Sequence, residues 1–471
     1  MSATKGGIAD STSIVQRIDR LPLTRYLVFV ALVASTGYFF DIFDIDTISV
    51  TIAPIKHILS LTPLLTTLTI AMAFIGMFFG SILFGRWADK HGRKPMFTTT
   101  LLIIAIGSLL TFFVSFQPNI TTLWITRLIT GFGIGGDLPI IWAYMGELVP
   151  TRYRGRYYGM AMIVGVLSIP AVSFLATGLL SVSLNLWGYV FLVGAVIAIA
   201  IWPLRAIIPE SPRWYLAHGY REKAEEGIRE IETKVHATYK KPLPDYEKPA
   251  TPYIISEEKT PVKDLFAKKL RARTASAILV WIFQTWAFYG FTAFLPLLLV
   301  AKGYTIVHAT LFASIGYVGG FLGPVIVSFV SDKFERKNLL IIYSALAGIF
   351  AVSLGFTPGG IVALVILMAF LVNIFEQAWA TTLYAYIPEL FPVRSRAIGG
   401  GLANAFGRGF NVIGLLVIGV ALTGSTAAQL SFVGLSWLGC VIVLALAGVA
   451  TSRKTLEEIT EEGPPTITKT S

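Results

Sequence analysis

The chain has 471 residues, of which 55% are hydrophobic and only 14% charged, and its mean hydropathy is +0.70. A soluble chain carries about 25% charged residues, so this one cannot clothe two or three soluble domains. Its 32 Phe, 18 Tyr and 10 Trp exclude disorder. The net charge of +11 would by itself suit a nucleic-acid binder, but where the charges fall decides its meaning. The single cysteine, Cys440, permits neither an intrachain disulfide nor a cysteine metal site. An integral membrane protein is what remains.

The first 24 residues are polar, without the apolar core or cleavage site of a signal peptide, and read as a tail. Twelve apolar runs follow, each long enough to cross a hydrocarbon core of about 30 Å. They are 25–50, 63–85, 96–116, 120–143, 157–180, 185–207, 274–298, 307–330, 338–356, 360–384, 397–422 and 427–450. None alternates as a barrel strand would. The expected fold is therefore all-α, with a six-helix bundle over 25–208, a hydrophilic loop over 209–272, a second bundle over 273–450 and a tail over 451–471. In the central loop, Ala224, Ile228, Ile231 and Val235 share one helical face. Residues 240–261, rich in Pro and charge, read as an irregular connector.

Lys and Arg collect in alternate loops. Of the 38, Lys56 and Lys302 lie on the opposite side and Arg127 and Arg408 inside spans, which leaves 34 on one side. That side is expected to be the cytoplasm, with both termini there and the chain in the plasma membrane.

The halves superpose at a shift of 242 or 243. Gly76, Gly80, Asp89, Arg93 and Lys94 fall on Gly319, Gly323, Asp332, Arg336 and Lys337. Pro54, Glu147, Pro150, Arg152, Arg154 and Gly159 fall on Pro296, Glu389, Pro392, Arg394, Arg396 and Gly401. With six spans per half the repeat is parallel, a transporter plan with its site between the halves near the midplane.

Motifs narrow the family. Gly85-Arg-Trp-Ala-Asp89-Lys90-His-Gly92-Arg93-Lys94 resembles the loop between helices two and three of the major facilitator superfamily, and residues 331–337 resemble its degraded second copy. Arg127 with Gly131 and Gly133, Glu147 followed by Arg154-Gly155-Arg156, and Pro209-Glu210-Ser211-Pro212-Arg213-Trp214 resemble the sugar-porter-like branch. Gly37-Tyr-Phe-Phe-Asp41-Ile-Phe-Asp44, Gly135-Gly136-Asp137-Leu-Pro139, and Pro388-Glu389 with Gly407-Arg408 resemble phosphate, aromatic-acid and nicotinate-type proton symporters. Arg408 rather than Lys, and Glu376 in helix ten, depart from the phosphate pattern. The resemblance implies alternating access, a helix-one Asp and helix-four Arg coupled to proton uptake, and a small-molecule substrate.

On physical grounds the loop residues can form a gate. Asp89 can cap a helix, and Arg93, Arg154 and Arg156 can pair with Glu147, Glu210 and their repeat mates such as Glu389 across the seam between halves, in a gate that also includes Gly85, Gly92, Arg213, Asp332, Arg336 and Arg396. Inside the spans every charge is a functional candidate, since each costs at least ~2.5–3.5 kcal/mol there. At 1.5 Å per residue, Asp44 lies about 28 Å from Arg25 and Arg127 about 30 Å from Glu147, while Glu376 and Arg408 lie about 20 and 18 Å from Glu389 and Arg396. Two pairs are thus expected, Asp44 with Arg127 and Glu376 with Arg408. Asp41 shares a face with Asp44, Asp46 points away as a rim residue, and Asp137 is a candidate second proton site or substrate contact.

Five acids against two arginines leave three acids unpaired, which favours proton coupling. Arg408 either stays with Glu376 or opens to take a carboxylate or phosphate bidentately. Gln284, Trp286, Tyr289, Asn373, Gln377, Trp379, Asn404 and Asn411 can line the cavity's second half. No phosphate-cradling loop is present, and the glycines from 131 to 136 sit in an apolar span, where close helix packing explains them. The expectation is a proton-coupled transporter of a small organic anion, neither an enzyme nor a nucleic-acid binder, monomeric, with no cofactor or metal besides the proton. Phosphate, sugar or cationic substrates, or a non-transporting sensor on the same fold, stand as alternatives.

Overall fold

The computed structural model describes residues 14–150, 153–245, 262–268, 270–330, 333–391 and 395–451. Among these, twelve helices are long and apolar enough to cross a membrane. They are α1 (Arg25–Ile58), α2 (Pro63–His91), α3 (Arg93–Val114), α4 (Ile120–Leu148), α5 (Gly159–Val182), α6 (Leu184–Ile207), α7 (Arg271–Thr292), α8 (Ile306–Val330), α9 (Arg336–Phe356), α10 (Val362–Ile387), α11 (Ile398–Ala421) and α12 (Thr426–Ala447). Side-chain caps start several of them. Thr24 accepts the Leu27 N–H, Thr62 that of Leu65, Asn119 those of Thr121 and Thr122, and Ser425 that of Ala428. The seventh predicted span is shorter than expected: α7 stops at Thr292 and a separate helix, Leu295–Ala301, follows. Pro296 explains the break, since it lacks an N–H to continue the ladder.

The two halves repeat in their contacts as well as their sequence. A Cβ on Gly76 or Gly80 of α2 would strike the carbonyls of Leu128 or Phe132 on α4. On Gly319 or Gly323 of α8 it would strike those of Phe370 or Ile374 on α10. Each second set lies 242 or 243 residues beyond the first, so mates press on mates. From the α4 side, Gly131 and Gly135 meet the carbonyls of Ala73 and Met77. Small residues let these backbones touch, which is what drives helix association where water provides no hydrophobic force.

At the end carrying the basic loops, α2 passes to α3 through Gly92, whose φ of +108° suits glycine. Glu210, from the stretch after α6, accepts the N–H groups of Arg93 and Lys94 at 3.2 and 3.0 Å and caps α3. Burial pushes its carboxyl up, against the backbone N–H groups of Ser211, Lys94 and Arg93. Arg93 reaches Asp89 at 2.7 Å and Glu147 at 3.2 Å, and Arg336 reaches Glu389 at 3.0 Å. These pairs lie within one half each, not across the seam as expected. Helix α3 begins directly at Arg93, so its side chain falls back along its own bundle. Arg213 meets Asp19 at 3.5 Å, and Gly85 lies half-exposed with open space beside it. Asp332, the side chains of Arg154, Arg156 and Arg396, and the connector from 246 to 261 lie outside the described residues.

The amphipathic stretch of the central loop is the helix Arg221–Tyr239, and all four predicted apolar residues are buried. Its cover is unexpected. Ile14 and Ile18 of the N-terminal segment pack on Ala224 and Ile228. Arg17 bridges Glu225 and Glu232 at 2.5 Å each, and Arg20 reaches Glu232 at 2.6 Å. The expected tail is therefore in part a clasp.

Two tests follow from this end of the molecule. Glu210→Ala leaves two helix N–H groups without an acceptor and should cost about 1–2 kcal/mol, read as a lower melting temperature in detergent; an unchanged melting point refutes the cap. For the clasp, burial pulls the Glu232 carboxyl upward, but the guanidinium groups of Arg17 and Arg20 outweigh it and hold it below the usual carboxylate value. Its contribution is therefore complete above a pH of about 4.3 and is lost as pH falls through the depressed value. Hydrogen exchange over residues 14–19 should quicken in acid and, at neutral pH, in Glu232→Gln; equal protection in variant and wild type would rule the ion pairs out.

Candidate functional site

Between the halves lies a partly open cavity, with about 630 Å³ of empty space when its open mouth is included. The walls are aromatic: Tyr38 from α1, Trp281, Phe288 and Tyr289 from α7, and Trp379 and Tyr384 from α10. Gln284, Gln377 and Arg408 provide its polar atoms together with Thr285. Of the predicted lining, Gln284, Tyr289, Gln377, Trp379 and Arg408 are therefore in place.

Others are not. Trp286 is two residues from Gln284, hence about 200° around the helix, and it donates to the Phe410 carbonyl at 2.8 Å and stacks on Phe432. Asn373 donates to the Ala369 carbonyl of its own helix at 2.9 Å. Asn411 is buried away from the cavity, and Asn404 stands behind it, accepting from Arg408 Nε at 3.0 Å.

Arg408 does not pair with Glu376. Its Nη1 lies 3.2 Å from Met77 Sδ on α2 of the other half. Among the described residues no carboxylate lies within ion-pair distance of it. Matching depth was not enough, because Glu376 points into its own bundle. Its carboxylate is fully buried, accepts no hydrogen bond and has the indole of Trp437 on α12 as its polar neighbour. A guanidinium 7% exposed, held by one amide and facing a cavity, retains donors for an anion.

In the first half the predicted pair is present. Arg127 donates to both Asp44 oxygens, Ser108 Oγ donates to Asp44 Oδ1, and the guanidinium lies 5.2 Å from the Phe191 ring centre. Neither side chain has appreciable contact with solvent. Such a pair is costly to break from one side only, since the survivor is left as a buried charge.

Asp137 is not the free acid expected. It is gripped by Arg205, with Nη1 on Oδ1 at 3.0 Å and Nη2 on Oδ2 at 2.8 Å, and Thr100 Oγ1 also donates to it. Arg205 was counted among the loop bases, but it lies in α6 with no exposure and packs 3.7 Å over the Phe97 ring. Its place near the end of the sixth apolar run was the available signal, masked by its closeness to the basic loops. Asp41 is fully buried and neither oxygen has a partner. Asp46, expected at a rim, is only 4% exposed. Helix α1 continues past it to Ile58, and its electrostatic neighbours are Tyr289 and Tyr317 of the second half.

Sequence reasoning also missed an aromatic quartet on the basic side of the cavity. Tyr38 meets Trp142 at 5.5 Å between ring centres, Trp142 meets Tyr384 at 5.7 Å, and Tyr384 meets Trp281 at 5.8 Å. Tyr38 and Trp281 are mates at the 243 shift, Trp142 and Tyr384 at 242, so the repeat alone could have found them. At the far end the halves join through Ser173 and Ser314, 2.7 Å apart, with Thr177 3.2 Å from Ser314.

Comparison with known proteins agrees with this architecture. The chain is 32% identical over 447 residues to the putative metabolite transport protein YyaJ of Bacillus subtilis, covering 94% of this chain and 97% of that one. It is 29% identical over 452 residues to the niacin transporter NiaP of Acinetobacter baylyi, covering 95% and 99%. The fold matches the partially occluded, inward-open xylose transporter XylE of E. coli with a TM-score of 0.74 at 22% identity, over 91% of this chain and 99% of that one. With the family model for "Sugar (and other) transporter" matching residues 29–462, the chain belongs to that family of membrane transporters and has the major facilitator fold.

Proposed function

We propose that this transporter carries a small organic anion, an aromatic monocarboxylate above all, together with protons, from the far end to the end bearing the basic loops, which faces the cytoplasm. One observation carries the reading: Arg408 faces an aromatic-walled cavity, with no carboxylate of the described residues within ion-pair distance. Two parallel N–H donors suit a carboxylate, and flat aromatic walls suit a single ring. Gln284 and Gln377 can orient a ring substituent or heteroatom. The niacin transporter among its relatives handles a molecule of this kind, a pyridine carboxylate.

Proton coupling is supported by charge bookkeeping. The first half buries Asp41, Asp44, Asp46 and Asp137 against Arg127 and Arg205. An acid left over in a dry bundle is neutral, and it ionises only when the bundle rearranges or a base reaches it. Protonation of Asp44 would release Arg127, so the Asp44–Arg127 pair can report the proton to helices α1 and α4. Alternation is then a rocking of halves about the cavity, with the aromatic quartet on one side and the Ser173–Ser314 contact on the other.

The test is reconstitution in liposomes with nicotinate and benzoate as probes. Counterflow of either, competed by the other but not by xylose or phosphate, is the expected result; absence of carboxylate exchange refutes the reading. Arg408→Lys should weaken both carboxylates by about tenfold or more, the equivalent of about 1.4 kcal/mol, and nicotinamide far less. Equal loss for acid and amide would make Arg408 structural. Asp44→Asn should abolish accumulation driven by a pH gradient while sparing exchange, and fully gradient-driven uptake in that variant would exclude Asp44 from coupling.

A further inference from the structure

Asp41 sits beside a second ion pair that the sequence did not show. Gly37, one turn before it on α1, is pressed so closely against α4 and α6 that a Cβ there would collide with the Arg205 guanidinium and the Asp137 carboxylate. Asp41 therefore follows on the same face of α1, toward that pair. The charged and titratable groups that act on it are Tyr38 and Asp44 from its own helix, Asp137 from α4, Arg205 from α6, Tyr289 from α7 and Arg408 from α11. Arg127 is already engaged by Asp44, and Arg408 faces the cavity. That leaves Arg205 as the base that an ionised Asp41 can claim within the first half.

We infer that Asp41, Asp137 and Arg205 form one proton site, in which two carboxylates share a single guanidinium and a single proton. In the arrangement seen, Arg205 grips both Asp137 oxygens while both Asp41 oxygens are buried without a donor; the inference assigns the negative charge to Asp137 and the proton to Asp41. In the alternative arrangement Arg205 moves from Asp137 to Asp41. The proton leaves the Asp41 oxygen and ends on the Asp137 oxygen that lost its N–H donor. One O–H bond breaks and one forms, and the net charge of the trio is zero before and after. The exchange therefore never leaves a net charge in the dry interior, where an unpaired ion costs far more than a lost hydrogen bond. It also carries a proton from α1 to α4, the helix leading to Glu147 at the basic end. Arg205 is thus a positioning residue for coupling: it does not touch substrate but decides which carboxylate holds the proton. Phe97 fits this role, because its ring supports the guanidinium at 3.7 Å and its carbonyl accepts from Nη1 at 2.5 Å. Those contacts bind Arg205 to α3 independently of either carboxylate. The inference deepens the proton-coupled reading and rests on it.

The test is an infrared titration of the full-length protein in liposomes without substrate, following the carbonyl stretch of a protonated, unbonded carboxylic acid. The part of the band lost in Asp41→Asn belongs to Asp41. Asp137→Asn leaves Arg205 to Asp41 alone, so the pH midpoint of that band should fall by about one unit or more, a tenfold change in proton affinity. Arg205→Gln leaves two carboxylates with no base, so the midpoint should rise by as much. Arg205→Lys, which keeps the charge, should stay closer to wild type than either. Opposite movement in the first two variants is the expected result. Movement of the same sign in both, or an unmoved midpoint in Asp137→Asn, overturns the inference, because Asp41 would then not share Arg205 with Asp137. Should Arg205→Gln fail to fold, the fall in Asp137→Asn beside a near-native Arg205→Lys decides the matter. Since no transport is needed, a failure here is read separately from a failure of wild-type protein to exchange nicotinate or benzoate.

Discussion

Everything functional in this bundle follows from the cost of keeping charge away from water. A buried ion survives only if it is paired, hydrogen-bonded or neutralised by a proton. The protein uses each solution once or more. Asp44 with Arg127 and Asp137 with Arg205 are paired, Asp41 and Glu376 stand in no ion pair among the described residues, and Arg408 is a cation supported by an amide and facing a cavity. The inequality between the halves is itself informative. The paired and surplus acids concentrate in the first half, whereas the second half presents a base and aromatic walls. On the proposed reading, proton handling falls to one bundle and substrate recognition largely to the other.

The scaffold that holds these charges is assembled from close backbone contacts. The glycine contacts of α2 on α4 and of α8 on α10 are related by the same shift as the sequence. Each bundle is thus a firmly packed unit, and the seam between them is a different kind of surface. Across it Trp142 meets Tyr384, Phe74 meets Tyr289 and the Ser173 hydroxyl meets that of Ser314, all of them side-chain contacts. Ring contacts of about 0.5–1.5 kcal/mol each can part and re-form without disturbing the bundles. The loop ion pairs Arg93–Glu147 and Arg336–Glu389 each tie together residues of one half at its basic end. The clasp of the N-terminal segment on the helix Arg221–Tyr239 adds a further tie at that end.

Much of this was legible in the residues. The spans follow from uninterrupted apolar runs, because a backbone in hydrocarbon has no choice but to satisfy itself as helix. The Asp44–Arg127 pair was legible because both charges lie deep in the apolar runs and at equal depth. Side-chain direction was less legible. Depth put Glu376 beside Arg408, but helical phase turns one into its own bundle and the other into the cavity. Arg205 escaped notice because it lies two residues from the end of α6, where a long side chain usually reaches out to the headgroups. Here it folds inward, since Asp137 and the Phe97 ring lie within its reach.

By itself, then, the sequence determined the number of helices, the parallel repeat, the family and the excess of buried acids. These depend on composition along the chain, which the bilayer reads directly as length and polarity. Only the tertiary structure decided which acid meets which base. It left Asp41 alone, gave Asp137 to Arg205 and opened Arg408 to the cavity. Pairing depends on the rotation of each helix about its own axis. That rotation is set by packing against neighbours distant in sequence, so no local pattern could carry it.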